Sequence, residues 1–314
     1  MTRYRNLLLF VVLAAVWGSA FMAIKAGLEF FPPVFFAAIR YDVAGVIMLA
    51  YAWYAADDWR PRNRGQWTVV AIGAIFMIAA YHAFLFVGET SPDVTSAAAA
   101  VVVSLSPVLT TGFSRLFLPS ERISILGLVG MLLGLIGVVF LALDDPVAFL
   151  AAPSLARLFG ESITGELLVF AAAAAFALGS VLTQRVDATL EIETMEAWAM
   201  LGGALLMHVL SLAIGEPQTF VVNTESLLAL GYLSLAASAA GFLIYFDLLE
   251  RLGPIEINLV SYVAPIFAAL AGWAVLGEVV DSGTVIGFVV IFTGFALLKR
   301  DALRAEIVRW REIR

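Results

Sequence analysis

The sequence predicts an all-α integral membrane protein with ten transmembrane helices, arranged as two inverted repeats of five helices. Of its 314 residues, 62% are hydrophobic and 14% are charged, whereas a soluble domain has roughly 45–50% apolar and about 25% charged residues. The chain also contains ten apolar stretches close to the roughly 20 residues that a helix needs to cross a bilayer core of about 30 Å. Finally, the same landmarks recur in the two halves of the chain.

The ten apolar stretches follow one another with short connections. We expect one connection, 144–165, to be an extracytoplasmic loop between a first repeat at 1–143 and a second at 166–299, with a basic amphipathic cytoplasmic tail at 300–314. The first stretch follows two arginines, as in a signal peptide, but it is long enough to be a retained helix. The predicted spans are 7–28, 33–56, 67–87, 95–116, 123–143, 166–186, 194–214, 226–249, 254–276 and 283–299.

The distribution of basic residues predicts the orientation. With ten spans, most arginines and one of the two lysines fall on one side, which the positive-inside rule identifies as cytoplasmic. The opposite side has Arg157, with Lys25 near its edge, and many acids. We therefore expect a protein of the cell membrane with both termini in the cytoplasm. The basic residues on the predicted inner side are Arg3, Arg5, Arg60, Arg62, Arg64, Arg115, Arg122, Arg185, Arg251, Lys299, Arg300, Arg304, Arg309, Arg311 and Arg314.

Each half contains a long apolar run that is interrupted by a proline and closed by a glutamate. These residues are Pro107 and Glu121 in the first half, and Pro265 and Glu278 in the second. An odd number of spans in each half places the second half in the membrane in the opposite direction, as in inverted-repeat transporters. Further matched landmarks are Trp17-Gly18-Ser19 with Leu178-Gly179-Ser180, Gly73 with Gly231, and Phe84 with Phe242.

This ordered set of motifs resembles the EamA family of the drug/metabolite transporter superfamily, over essentially the whole chain to about Arg300. The resemblance rests on Trp-Gly-Ser in the first span, an arginine in the second, and a proline before Leu-Gly-Glu at 276–278. The first half departs from it with Leu-Pro-Ser-Glu at 118–121. The resemblance implies a secondary transporter that exports amino acids or other small metabolites. It also implies a central cavity lined by spans 1, 3, 4, 6, 8 and 9.

Polar and aromatic side chains inside the spans are the candidate substrate-binding residues. Arg40 is costly in a bilayer and needs an anionic or carbonyl partner, on another helix or in a substrate. The His82 imidazole could bond a polar substrate and take part in proton coupling, because its ordinary pKa is about 6.5; alternatively, a neighbouring helix satisfies it. The candidates are Trp17, Arg40, Tyr81, His82, Gln184, Tyr245, Asn258 and Tyr262.

The two prolines predict helix kinks. A proline removes a helical hydrogen bond, so Pro107 would free the carbonyl of Val103, and Pro265 that of Ser261. A carbonyl freed within a bilayer must face protein or a watery cavity. We expect functional kinks that line a pathway; a static bend that aids packing is the alternative.

Local partners account for other charged residues. We expect Lys25 to reach the membrane interface or to pair with Glu29 four residues later. An ion pair between Asp247 and Arg251 follows from the same spacing. His208 lies among apolar residues, which favours a structural role. The two glutamates that close the proline runs are interpreted as turn markers.

Several functions are disfavoured by the composition. The chain has no cysteine and two distant histidines, so we predict no metal site and no cofactor. A net charge of −7 disfavours nucleic-acid binding. Neither a nucleophile–base set nor a charged ring is evident, so an intramembrane enzyme and a channel are weaker alternatives.

The leading hypothesis is a secondary exporter of a small metabolite that works by alternating access. Its partners would be a small-molecule substrate and the lipid bilayer, with the protein a monomer or a weak homodimer. An exchanger or importer of another polar metabolite, of the sugar-phosphate or nucleotide-sugar type, is the alternative within the transporters.

Overall fold

A computed structural model describes residues 2–117, 125–141, 163–253, 257–298 and 300, and every regular element in these ranges is helical. The predictions for Glu121, the central loop and the basic tail fall on residues outside these ranges. We number the helices in chain order as α1 (Thr2–Gly27), α2 (Pro33–Ala55), α3 (Arg64–Gly88), α4 (Ser96–Val103 and Ser106–Phe117), α5 (Ile125–Leu141), α6 (Ile163–Arg185), α7 (Ile192–Ala213), α8 (Thr224–Leu252), α9 (Val260–Leu276) and α10 (Ser282–Leu298).

Helix length and composition are those of a multi-pass membrane protein. Within the described residues, seven helices are long and apolar enough to cross a membrane, and α5, α9 and α10 are shorter apolar helices. The 23 residues of α2 extend over about 34 Å at ~1.5 Å per residue, more than the thickness of a bilayer core. Large apolar side chains such as Leu205 and Val209 are more than half exposed, which suits a surface that faces lipid.

Three of the described helices, α3, α8 and α9, contain a π-helical segment, and those of α3 and α8 lie at matching places. These segments are Gly73–Ala80 in α3 and Tyr232–Ala240 in α8. Both helices also begin in the same way, because Asn63 and Asn223 each accept a backbone N–H bond from the third residue after them. Such wide turns are uncommon and frequently lie at functional sites. The apolar pattern of the sequence predicts uninterrupted helices here.

The two matched prolines have different effects. Helix α4 is interrupted at Ser104 and Leu105, just before Pro107, whereas Pro265 lies inside a continuous helical segment of α9. The carbonyl of Val103 accepts a bond of 2.7 Å from the Ser106 hydroxyl. The backbone group that we expected Pro107 to free therefore has a partner within its own helix.

Helices from the two halves of the chain interleave. Helix α2 packs against α7, α1 packs against α8 and α9, and α3 and α4 pack against α6. Helices α5 and α10 pack mainly against each other. The two five-helix segments of the sequence are therefore not separate bundles, and a cavity at the centre is built from both.

Glycines permit the close contact between α5 and α10. A Cβ atom on Gly130 would overlap the carbonyl oxygen of Gly294, and one on Gly137 would approach the carbonyl oxygen of Gly287. Small residues allow backbones in a membrane to approach in this way, since lipid supplies little hydrophobic force for helix association.

This contact can be tested with two matched substitutions. Gly130→Ala should destabilise the detergent-solubilised protein by about 1–3 kcal/mol, the usual cost of overpacking, and lower its Tm. Gly231→Ala, also in a helix, places its methyl group where nothing lies within 4 Å and should leave the Tm unchanged or raise it. Equal Tm values for the two variants would contradict the proposed role of Gly130.

Candidate functional site

A central cavity of ≈ 200 Å³ lies between the helices. Its lining comes from α1, α2, α3, α4, α6, α7 and α8, together with residues 257, 258, 261 and 264 in and just before α9, while no described residue of α5 or α10 contributes. Six of the eight candidate residues line it, namely Trp17, Arg40, Tyr81, His82, Tyr245 and Asn258. Ser106, Ser261 and several aromatic and aliphatic side chains complete the wall.

The other two candidates lie elsewhere. Tyr262 is buried against the rings of Phe292 and Phe295 on α10, with centroid distances of 5.7 Å and 4.2 Å. Gln184 is exposed on α6, and its amide donates to the carbonyl of Ser180 at 3.1 Å. Neither is part of the cavity lining. Tyr262 and Gln184 are polar or aromatic residues like the other candidates. The sequence spacing did not determine which face of each helix lines the cavity.

The Trp-Gly-Ser motif of α1 joins this helix to α8 and α9. The indole Nε1 of Trp17 donates to the carbonyl of Ala237 at 3.0 Å, within the π-helical segment of α8. The Ser19 hydroxyl is 2.7 Å from the Tyr232 hydroxyl. Gly18 leaves no room for a side chain against the α9 backbone. Each residue of the motif therefore contacts a different part of the second half.

Arg40 places one cationic group in the cavity wall. Its Nε donates to the hydroxyl of Ser238 at 2.9 Å, and its guanidinium carbon lies 5.1 Å from the centre of the Tyr41 ring. Within the described residues, the rest of the guanidinium makes no hydrogen bond or salt bridge. The Ser238 hydroxyl on α8 thus provides one hydrogen-bond partner for Arg40. A ligand could accept hydrogen bonds from the remaining N–H groups.

His82 is held by hydrogen bonds at both ring nitrogens. Nδ1 lies 2.8 Å from the Ile78 carbonyl oxygen, and Nε2 lies 2.7 Å from the Tyr41 hydroxyl. A carbonyl only accepts, so Nδ1 carries the proton, and in the neutral ring Nε2 accepts from Tyr41. The His82 ring is therefore bonded to neighbouring groups, as one alternative predicted, and it also lines the cavity.

Glu196 lines the cavity but is not among the residues predicted from the sequence. It lies near the start of α7, is 5% exposed and lines the cavity. No hydrogen bond or salt bridge to its carboxylate is found in the described part of the chain. Its position in the first turns of a helix resembled that of acids that complement a helix dipole, so sequence gave no signal beyond the presence of an acid in a predicted span.

A charged cluster lies at the C-terminal end of α1. Lys25 contacts the Val94 carbonyl oxygen and forms a 3.3 Å salt bridge with Glu278. The two carboxylate oxygens of Glu278 also accept from the backbone N–H of Ser96, at 3.1 Å and 3.0 Å. We call these four residues the Lys25 cluster. The expected Lys25–Glu29 pair was wrong, and Glu278 is more than a turn marker, because it caps α4.

Glu89 is buried beside this cluster. It follows the last residue of α3 and is 1% exposed, and neither carboxylate oxygen has a hydrogen-bond partner. Burial raises the pKa of Glu89 well above its ordinary value, and the nearby Glu278 charge acts in the same direction. Lys25 and Arg40 oppose this change without cancelling it. Burial thus favours the protonated form of Glu89 more than water would.

Two other expectations are confirmed. Asp247 and Arg251 form an ion pair of 2.8 Å, which Arg5 joins at 3.3 Å from α1. His208 lies 2.7 Å from Asp42 across the contact between α7 and α2. Both groups connect helices and lie outside the cavity lining.

Among the described residues, no group of three or more potential metal ligands was found.

A largely apolar cavity with a few polar groups, enclosed by interleaved membrane helices from both halves of the chain, is a feature of transporter folds. A sequence profile of the EamA-like transporter family matches residues 5–143 and again residues 163–300. The chain belongs to this family, as its motifs implied.

Similar proteins include transporters from bacteria and a plant protein. The inner membrane transporter YedA of Escherichia coli (strain K12) is 32% identical over 88% of this chain and 86% of its own length. The chloroplastic WAT1-related protein At3g02690 of Arabidopsis thaliana is 27% identical over 90% of this chain and 66% of its own. A solved crystal structure with 23% identity superimposes with a TM-score of 0.63 and covers 96% of this chain and 99% of the other, which supports the fold.

The buried Glu89 carboxyl predicts a pH-dependent stability. Because its folded pKa is raised, its unfavourable effect is absent below the unfolded value of about 4.5 and grows as pH rises through the folded value. Glu89→Gln should therefore raise the Tm of the detergent-solubilised protein at pH 8 and have little effect at pH 4.5. The control is Glu29→Gln, at an exposed site. Equal Tm differences at both pH values would contradict this account.

Proposed function

We propose that the protein is a secondary active transporter that exports a small metabolite, such as an amino acid, by alternating access through the central cavity. The observation that carries the proposal is the composition of the cavity. A cation at Arg40 and an acid at Glu196 line the cavity together with the aromatic rings of Trp17 and Tyr245. Such a wall offers polar and apolar contacts to a small amphipathic molecule.

For the architecture, we propose ten spans as two inverted five-helix repeats in the plasma membrane, with both termini in the cytoplasm. The separate family matches to residues 5–143 and 163–300 support two repeats. The matching π-helical segments of α3 and α8, each after an asparagine cap, support the same correspondence. The orientation rests on the distribution of arginines in the sequence.

The proposed partners are a small-molecule substrate and the lipid bilayer, and the proposed oligomeric state is a monomer or a weak homodimer. Protons are the proposed coupling ion. His82 supports this because its ring lines the cavity and is connected through Tyr41 to the region around Arg40. A change in its protonation would alter that hydrogen bond.

The second candidate is an exchanger or importer of a sugar phosphate or nucleotide sugar. Arg40 is the single lysine or arginine among the described lining residues. Phosphate groups carry more negative charge than one carboxylate and are commonly bound by several cations. The nearby Lys25 is already bonded to Glu278. The charge of the cavity therefore favours an amino acid over a phosphorylated substrate.

Transport can be tested with the purified protein in liposomes. We expect saturable counterflow of a labelled amino acid from a broad panel, faster with an imposed pH gradient than without one. Liposomes without protein supply the background. A panel of amino acids, sugar phosphates and nucleotide sugars that produced no counterflow would contradict the proposal, and an ionic conductance in its place would indicate a channel.

The orientation can be tested separately, because the chain has no cysteine. Asp187 and Thr219 are exposed and lie between α6 and α7 and between α7 and α8, respectively. In intact cells, a membrane-impermeant maleimide should label Thr219→Cys at once and Asp187→Cys after permeabilisation. The reverse pattern would place the termini outside.

A further inference from the structure

The cavity is closed at the end next to the Lys25 cluster. Ile24 and Leu85 line the cavity there, and each is 2% exposed. Lys25 directly follows Ile24 on α1, and Glu89 follows Leu85 by four residues, about one helical turn. Asn258, at the other end of α9 from this cluster, lines the cavity and is exposed. The helix ends around Lys25 would therefore have to separate for the cavity to open on this side.

Glu89 begins the connection between α3 and α4, which is bonded to the Lys25 cluster. Within this connection, the Ser91 N–H donates to the Gly88 carbonyl and the Val94 N–H donates to the Ser91 carbonyl, both at 3.2 Å. The Val94 carbonyl in turn accepts from the ammonium group of Lys25. The contacts that hold the helix ends together therefore also hold the segment in which Glu89 is buried.

The Glu89 carboxyl has no hydrogen-bond partner among the described residues, although it is 1% exposed. A charged carboxylate without hydrogen bonds is very costly in such a place, whereas the protonated carboxyl is neutral and costs much less. Separation of the helix ends would let water solvate the charged form. The charge of Glu89 is therefore linked to whether this end of the cavity is closed.

The surrounding charges do not remove this cost. Lys25 has the largest favourable effect on the Glu89 carboxylate, but it is already paired with Glu278 at 3.3 Å, and the Glu278 charge is unfavourable. One ammonium group thus serves two carboxyl groups, and a proton on Glu89 would balance the charges. The charged and titratable groups around Glu89 are Lys25 on α1, Arg40 on α2, Tyr81 on α3, Asp93 in the connection to α4, Glu166 on α6 and Glu278 after α9.

We propose that Glu89 is a proton-binding site that controls this end of the cavity, which closes when the carboxyl carries a proton and opens when the proton leaves. The inference rests on the proposed transport function and assigns a position to the coupling proton. The proton forms an O–H bond with a Glu89 oxygen on closure and returns to water on opening. Because protonation and closure are linked, each favours the other.

The direction of the pH dependence follows from this linkage. Burial raises the pKa of Glu89 in the closed form well above 4.5, the ordinary value expected once water reaches the carboxyl. Below the ordinary value both forms are protonated, and their ratio does not depend on pH. Between the two pKa values only the open form is charged, so each additional pH unit raises the ratio of open to closed protein by up to about tenfold.

A single cysteine at Ala100 would report the opening. Ala100 lines the cavity, is 2% exposed and lies one turn after Ser96 on α4, and the chain has no cysteine of its own. We would label Ala100→Cys from outside with a membrane-impermeant maleimide, in right-side-out membrane vesicles with the same pH on both sides. Division by the labelling rate of Thr219→Cys, at an exposed site, corrects for the pH dependence of thiol chemistry.

The corrected labelling rate of Ala100→Cys should rise at least about tenfold between pH 5.5 and pH 7.5. With Glu89→Gln added, the rate should remain at its low value at both pH values, because the amide stays neutral. Glu89→Asp retains a titratable carboxyl and should retain a rise. Glu29→Gln makes the same chemical change at an exposed site and should behave as the wild type.

Two labelling results would overturn the assignment. One is a corrected rate that does not rise with pH when Glu89 is present. The other is an equal rise with Glu89→Gln, which would place the titrating group elsewhere.

Counterflow by the same variants separates this inference from the proposed function. In liposomes, Glu89→Gln should remove the acceleration of counterflow by a pH gradient, and Glu29→Gln should not. The expected labelling pattern without counterflow of any panel member would retain the proton site and reject the transporter. Counterflow whose acceleration is undiminished in Glu89→Gln would retain the transporter and reject the role of Glu89.

Discussion

The need to satisfy every backbone polar group within the protein constrains this structure more than any other requirement. A bilayer offers no water to an open carbonyl or N–H group, so each departure from a regular helix must come with a local partner. Ser106 supplies one at the Val103 carbonyl beside Pro107. Trp17 supplies another at the Ala237 carbonyl in the π-helical segment of α8. In both places the irregular backbone lies beside residues that line the cavity.

The same constraint connects the cavity with the interleaving of the two halves. The indole that donates to the Ala237 carbonyl comes from α1. A side chain of the first half therefore satisfies a backbone group in a helix of the second half. Gly18 permits the approach of α9 to α1, and Ser238 of α8 bonds Arg40 of α2. The wall is consequently a joint product of both halves. Helices α5 and α10, whose glycines fit them to each other, provide no described lining residue and remain peripheral.

Sequence reasoning identified the helices well because apolar length is a local property. It also selected Arg40, His82 and Trp17, which are conspicuous residue types within apolar spans and which line the cavity. It missed Glu196 and misplaced Lys25, since both depend on distant parts of the chain. The Lys25–Glu278 salt bridge joins residues 253 positions apart, and no spacing within one helix encodes it. Rotation of each helix about its axis was likewise not determined, so Tyr262 looked equivalent to its neighbour Asn258.

The Lys25 cluster joins the ends of three helices. Glu278 follows α9, yet it holds the first backbone N–H of α4 and the ammonium group of α1. Separation of these helix ends must break all of these contacts together. Because they lie at helix ends rather than at mid-membrane depth, incoming water can replace each lost partner. Breaking these contacts would therefore cost less than breaking equal bonds in hydrocarbon.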